Sequence, residues 1–394
     1  MEMHDDSNIL LEHVADGNLL DHIERAQQCI SATTDTTNWR SQVRFLRKDQ
    51  EQSAQPTVEL GLNTFNGELG HTRYLAVSYC WVNGIGDTVH ELVRIRTPDS
   101  SRVVELSARA DILRWCFSFA EASNIPAVWM DQVCVDQEDL EEKQKSVDNM
   151  HLVYRNAVCT LVVLEAHIHS ESDIMAMPKI MEHGANVELR ERIFADKWFT
   201  RAWTTQEYIN TEASKLFYLL PWQKDLDVDG ECWQRARTEN TQERLQRVER
   251  AWIITHDQII ALSCMSQEHT SIMQSITASS FFGNSAMDAM VTTSLDAAYS
   301  QPNAIREFDA TVKLRATMPL AFTALQSKGC LWHQDKLALL SNVTHYPHKI
   351  QILEVMSRNL SFTACVLALA IFNGDLSPLF CRDSIKRLQK ATLS

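Results

Sequence analysis

Between Tyr74 and Leu164 the apolar positions switch back and forth between strand-like and helix-like spacing. Residues 74–80 alternate and are rich in Tyr, Leu and Val, which suits a strand. The segment Val82-Asn-Gly-Ile-Gly-Asp87 then reads as a loop at its carboxyl end. Ser107 suits a helix N-cap, and Ala110, Leu113, Phe117 and Ala120 recur at the spacing of one helix face. A second strand is expected at Ile125–Met130, with Pro126 tolerated because it stands at the start. Leu140, Val147, Met150, Tyr154 and Ala157 define a second helix, with Glu138, Asp139, Glu141 and Glu142 at its positive end. Val158–Leu164 is apolar enough for a third strand buried on both faces. Strand-helix-strand-helix-strand predicts an α/β fold with a doubly wound, mostly parallel sheet.

The rest of the chain carries weaker patterns. Residues 1–73 read as an N-terminal appendage: a helical stretch from Ile9 to Ala26, a polar run Ser31–Asn38, and turn chemistry at Gly61, Asn63, Asn66, Gly67 and Gly70. Regular structure is expected to begin near Tyr74. Residues 165–195 form a long insertion with little pattern. Beyond 210 the chain turns mainly helical, clearest over Arg244–Ser263 and Ile352–Phe372. The domains expected are therefore 1–73, 74–210 and a mainly helical region 211–394.

Composition narrows the classes. At 394 residues, 45% apolar and 22% charged, the chain is that of an ordinary globular protein. The net charge is −14 and no run of Lys or Arg forms a stripe, which argues against nucleic acid as the main partner. The N-terminus is acidic and lacks the apolar core of a signal peptide. The longest apolar run, Phe362–Phe372, is about half a membrane span and reads as a buried helix. Ten cysteines without paired spacing point to free thiols in a reducing compartment, so a cytoplasmic location is expected.

Asp131 is the sharpest candidate for chemistry. It ends an apolar run, and ligands of open α/β sheets sit beyond the carboxyl ends of the strands. Tyr79 and Trp81 stand at the end of the neighbouring strand. Asp131 could orient a ribose hydroxyl or an arginine, or it could cap the next turn through backbone amides. Gln137 suits a pocket floor or a helix cap. Cys80 and Cys134 flank the same region, but no His is adjacent to either in sequence, so they read as packing residues. Asp225-x-Asp227-x-Asp229-Gly230 imitates a calcium loop, but its twelfth position is Ala236 instead of Glu, and calcium is rejected. His167-x-His169 is too sparse for zinc. No metal is expected.

Four blocks in order carry a family signal: Tyr74-Leu-Ala-Val-Ser-Tyr79-Cys-Trp81, Trp129-Met-Asp131-Gln-Val-Cys-Val-Asp-Gln137, Met150-His-Leu-Val-Tyr154-Arg-Asn-Ala157 and Trp198-Phe-Thr-Arg201-Ala-Trp203-Thr-Thr-Gln206-Glu207. Together they resemble the fungal heterokaryon-incompatibility (HET) domain. The chain differs from that pattern at Val82 and Glu165, where the family commonly has Gly, and at Asp136, where it has Asn. Trp203 and Glu207 are four residues apart and share a helix face. TIR domains, which are flavodoxin-like sheets, carry the same Trp-x-x-x-Glu spacing, and their enzymatic members use the glutamate to cleave nicotinamide from NAD.

The resemblance implies a flavodoxin/TIR-like sheet and a role in non-self recognition that ends in cell death. It implies NAD as a substrate, no bound cofactor, and self-association or a partner protein on activation. Glu207 would be the catalytic residue, with Tyr79, Trp81, Asp131, Gln137, Arg201 and Trp203 binding the substrate, and Tyr79, Asp131 and Glu207 around one crevice. The alternative is a non-enzymatic signalling or adaptor module, in which Trp203 packs its helix and Glu207 is solvated or paired with Arg201. Downstream, Asp335-Lys336 followed by an apolar helix resembles an element that recurs after HET domains.

Overall fold

The computed structural model describes residues 19–32, 39–48, 62–81, 95–96, 110–179, 187–238, 248, 250–264, 318–326, 328–330 and 334–380. The expected loop 82–87, the Ser107 cap and the first half of the N-terminal helix lie outside these residues.

In chain order the described elements begin with α1 (Leu19–Gln27), β1 (Ile30–Ala32), β2 (Val43–Lys48), β3 (Leu62–Gly67), β4 (Tyr74–Tyr79) and β5 (Ile95–Arg96). Next come α2 (Ala110–Ala122), β6 (Ala127–Trp129), α3 (Asp131–Cys134), α4 (Leu140–Asn156), β7 (Cys159–Val163), α5 (Glu171–Ala176), α6 (Val187–Phe194) and α7 (Ala202–Asn210). After them follow β8 (Leu216–Pro221), α8 (Gly230–Thr238), β9 (Ala251–Thr255) and α9 (His256–Cys264). The last group is α10 (Met318–Gln326), α11 (Asp335–Val343), β10 (His348–Ile350), α12 (Ile352–Ser357) and α13 (Phe362–Phe372).

These elements form two compact units. One comprises Met1–Thr34, Thr200–Ile209 and Met273–Ser394; the other comprises Asp35–Phe199 and Asn210–Ile272.

The second unit is built on an eight-stranded sheet of order β5-β3-β2-β6-β4-β7-β8-β9. The sheet is mixed and mostly parallel: β4 runs parallel to β6 and β7, and β7 to β8, whereas β2 and β9 are antiparallel to their neighbours. The four parallel strands follow the chain order 2-1-3-4, which places a reversal between β4 and β7. Helices cover both faces. Phe217 and Tyr218 are neighbours on β8 and so point to opposite sides. Phe217 meets Phe119 of α2 at 5.6 Å between ring centroids, while Tyr218 meets Trp198 at 5.7 Å.

All six residues of β4 are buried because strands flank it on both sides. The Ser78 hydroxyl of β4 accepts from the indole N–H of Trp198 at 2.6 Å. The Tyr74 hydroxyl donates to the Val153 carbonyl of α4, and the Tyr154 hydroxyl returns a bond to the Val77 carbonyl, so strand and helix are tied at two levels. Asp139 caps α4 by accepting from the amides of Glu141 and Glu142, with two acidic side chains in the first turn. The turn from β3 to β4 needs its glycines: Gly70 takes φ +97, and a Cβ on Gly67 would lie 2.5 Å from Thr72 Oγ1.

Several expectations are corrected. Regular structure begins before Tyr74: β2 and β3, from the stretch read as an appendage, are strands of the sheet. The insertion 165–195 holds α5 and α6. The region after 210 returns β8 and β9 to the sheet before it becomes helical, and Arg244–Ser263 is not one helix. Ala251–Thr255 pairs antiparallel with β8, and Trp252, Ile253 and Ile254 are buried there; only from His256 is the chain helical. A run of four apolar residues has no period to separate strand from buried helix. Ile352–Phe372 is split into α12 and α13 because Asn359 takes φ 48 and Ser361 caps a new helix, accepting from the Ala364 amide.

The first unit has its own core. Residues of α1, α10, α11, α12 and α13 pack around Leu337, Leu340, Phe362 and Leu369, with Ala202 of α7 among them. A two-stranded antiparallel sheet, β1 with β10, pairs Ile30 with Ile350.

Candidate functional site

The carboxyl ends of β4 and β6 come together as expected. Asp131 opens α3, one residue past the end of the β6 turnout at Met130. Trp81 Nε1 donates to both Asp131 carboxylate oxygens, at 3.0 Å to Oδ2 and 3.2 Å to Oδ1. The Gln132 amide donates to Asp131 Oδ1 at 2.8 Å. The Tyr79 hydroxyl donates to Gln132 Oε1. Gln137 Nε2 donates to the Asp131 carbonyl at 3.1 Å and the Val135 carbonyl at 3.3 Å. Tyr79, Trp81, Asp131 and Gln137 thus form one hydrogen-bonded cluster. The Asp131 carboxylate accepts the next backbone amide, but it does not cap α3, whose N-cap Met130 carries no side-chain cap bond.

Gln132 was not singled out from the sequence. Nothing in a Gln between Asp and Val marks it; its role depends on the short turn of α3, which swings its amide beneath Tyr79. Asp136, the departure from the family's Asn, is consumed in the same loop. It accepts from the amides of Glu138 at 3.0 Å and Asp139 at 3.3 Å, while its own amide donates to Glu142 Oε1, which also pairs with Arg44. Cys134 is buried and accepts from the Met130 amide, and burial pushes its thiol up to about 12. It is a packing residue, not a nucleophile.

At the carboxyl end of β7, Asp196 also escaped sequence reasoning. It is buried and bridges two segments, accepting from the Ala166 amide at 2.7 Å and the Trp198 amide at 2.8 Å. Burial raises its carboxyl above the usual range against the pull of those two amides. Glu165, where the family has Gly, pairs with Lys197 at 3.5 Å.

Arg201, Trp203 and Glu207 belong to the first unit, on and just before α7. The Arg201 carbonyl accepts from Thr204 Oγ1 at 2.8 Å and Thr205 Oγ1 at 3.4 Å, which tightens the first turn. Arg201 forms a bridge with Gly329, whose amide donates to the Thr200 carbonyl at 2.8 Å. Trp203 is half-buried and packs against the core of this unit. Glu207 is only 6% exposed, so it does not lie on a solvated helix face. Gln206 is 0% exposed and accepts from Asn342 Nδ2 at 2.8 Å.

Among the described residues no group of three or more His, Cys, Asp or Glu could hold a metal ion. None of the described helices is long and apolar enough to cross a membrane.

The fold and these clusters define an α/β protein whose conspicuous polar groups gather after the central strands. Residues 74–207, about a third of the chain, match the family described as "Heterokaryon incompatibility protein (HET)". The matched stretch begins at the first residue of β4 and ends at Glu207 on α7. No curated protein and no solved structure matches it.

Proposed function

We propose that this protein acts in fungal non-self recognition and triggers cell death by hydrolysing NAD, with Glu207 as the catalytic carboxylate. The observation that carries the reading is the burial of Glu207 on α7, one helical turn after Trp203 at the end of the matched region. A carboxylate shielded from water interacts strongly with positive charge developing nearby. Nicotinamide cleavage develops such charge on the ribose. The bond between the ribose C1′ and the nicotinamide nitrogen breaks and nicotinamide leaves as a neutral base. Water then adds at C1′ and releases one proton. In this reading Glu207 stabilises the oxocarbenium-like state and Trp203 offers a ring for stacking. The parallel strand order 2-1-3-4 is that of flavodoxin-like sheets, which supports the TIR-like comparison. NAD is a substrate here, not a resident cofactor, and activation proceeds by self-association or a partner protein in the cytoplasm.

The test is NAD turnover by the concentrated full-length protein and by Glu207→Gln, which keeps size and hydrogen bonding but removes the charge. A loss of about 10²–10⁴-fold is expected, the range of a lost catalytic acid–base or electrostatic group. Turnover that survives the substitution would move the chemistry elsewhere.

A second reading, a non-enzymatic adaptor, is favoured by one observation. The loop after β6 uses its polar groups internally: Asp131 on Trp81 and Gln132, Gln137 on two carbonyls, and Asp136 on two amides. Equal killing by wild type and Glu207→Gln on overexpression would support it.

A further inference from the structure

Gln206 and Glu207 are adjacent on α7, so their side chains diverge by about 100° around the helix. Gln206 faces the same side as Ala202, which lies in the core of the first unit with α10, α11 and α13. On that side a buried chain of hydrogen bonds crosses the unit. Lys349 Nζ on β10 donates to Asn342 Oδ1 on α11 at 2.8 Å, and Asn342 Nδ2 donates to Gln206 Oε1 at 2.8 Å. Gln206 and Asn342 are 0% exposed and Lys349 is 2% exposed. A buried amide that accepts on one side and donates on the other has its orientation dictated by both partners, because reversing it would set its NH₂ against the ammonium.

We infer that Asn342 and Lys349 are positioning residues for α7: through Gln206 they set the rotation of the helix and hence the direction of Glu207. Lys349 can only donate, so it holds the Asn342 oxygen toward itself and the Asn342 NH₂ toward Gln206. Gln206, within the family block, is then an anchor to the C-terminal region and not a ligand contact. The assignment to catalysis rests on the proposed role of Glu207; the positioning of α7 does not.

The test uses the full-length protein with Asn342→Leu, Lys349→Met and the double variant, read by thermal unfolding and by amide exchange of residues 203–207. Asn342→Leu alone takes one hydrogen bond from a buried ammonium and one from a buried amide, so it is expected to melt lower. The double variant removes both ends of the Lys–Asn bond and recovers much of the melting temperature, as when both partners of a buried bond become apolar. In that refolded background the 203–207 amides are expected to exchange about tenfold faster than in wild type, while those of 337–341 stay within about twofold. Unchanged exchange at 203–207 would overturn the inference, since packing alone would then hold the helix. Should the double variant not fold, Asn342→Ser decides by the same readout, because its hydroxyl is too short to bridge Lys349 and Gln206 together. For NAD turnover, kcat is expected to fall with KM unchanged. A wild type that consumes no NAD would sink the enzymatic reading while leaving the exchange result to judge the positioning.

Discussion

Replacing Asp131 separates a pocket carboxylate from a structural one. The Asp131→Ala variant loses the bond from the Gln132 amide at 2.8 Å, a hydrogen bond of about 1 kcal/mol. It also leaves Trp81 Nε1 without the carboxylate it shares at 3.0 and 3.2 Å. A charge-assisted bond contributes about 1.5–3 kcal/mol, and the lower end applies because both side chains are only half-buried and water can reach the indole. The sum is about 2–3 kcal/mol. For a folded unit of this size that is a fall of about 5–10 °C in its melting temperature. The Asp131→Asn variant keeps an oxygen for one of the two donors, and its cost is about 1 kcal/mol, or about 2–4 °C. Scanning calorimetry measures both, with the transitions of the two units read separately where they resolve. An alanine variant that melts within a degree of wild type would refute the reasoning, because the contacts would then carry no free energy. An alanine variant that melts low and binds NAD as wild type does would mark Asp131 as a structural clamp only.

Three further outcomes follow. His256 is buried against Tyr218, and burial lowers its pKa below the ordinary 6.5; the unfolded chain therefore takes up a proton that the native one refuses as pH falls through about 6.5, and stability is lost on that side. The urea midpoint should drop between pH 7.5 and 5.5, and His256→Phe should flatten the drop; an equal slope in the variant contradicts this. Arg192→Met leaves buried Asp173 without the partner that contacts it at 2.5 Å, though the His169 amide still donates to it at 2.9 Å, so the expected cost is about 2–3 kcal/mol in urea unfolding, with a smaller combined effect in Arg192→Met/Asp173→Ala. A chain cut to 74–210 should be insoluble, since it lacks β2, β8 and β9 of the sheet and α11, which anchors Gln206; a soluble, cooperatively melting fragment would disprove that.

The strands β4, β6 and β7 and the helix α4 were legible because each carries its own period or punctuation: the Asp139 cap, the Asp that ends the β6 run, the unbroken Cys159–Val163 run. The cluster of Tyr79, Trp81 and Asp131 was legible for the same reason, since adjacent parallel strands bring their ends together. What stayed hidden depends on distant pairing. Val43–Lys48 breaks its alternation at Leu46, and only its pairing with β3 and the contact between Leu46 and Val128 turn it from a tail into a sheet strand. Ala251–Thr255 follows an arginine-rich stretch that looks helical, and the antiparallel register with Leu216–Pro221 overrides that local preference.

The same distinction applies to the region that carries the family signal. The matched residues run from Tyr74 to Glu207, yet their last eight residues fold with the C-terminal region, and the outer neighbours of β6 and β7, β2 and β8, come from outside the match. A family signal follows residues that recur; a folding unit follows buried surface and satisfied hydrogen bonds. At Gln206 the two meet. Its place in the motif is set by sequence, but its partners are 136 residues away at Asn342 and, through it, at Lys349. The matched region therefore ends on a helix whose buried polar anchor lies in the C-terminal region.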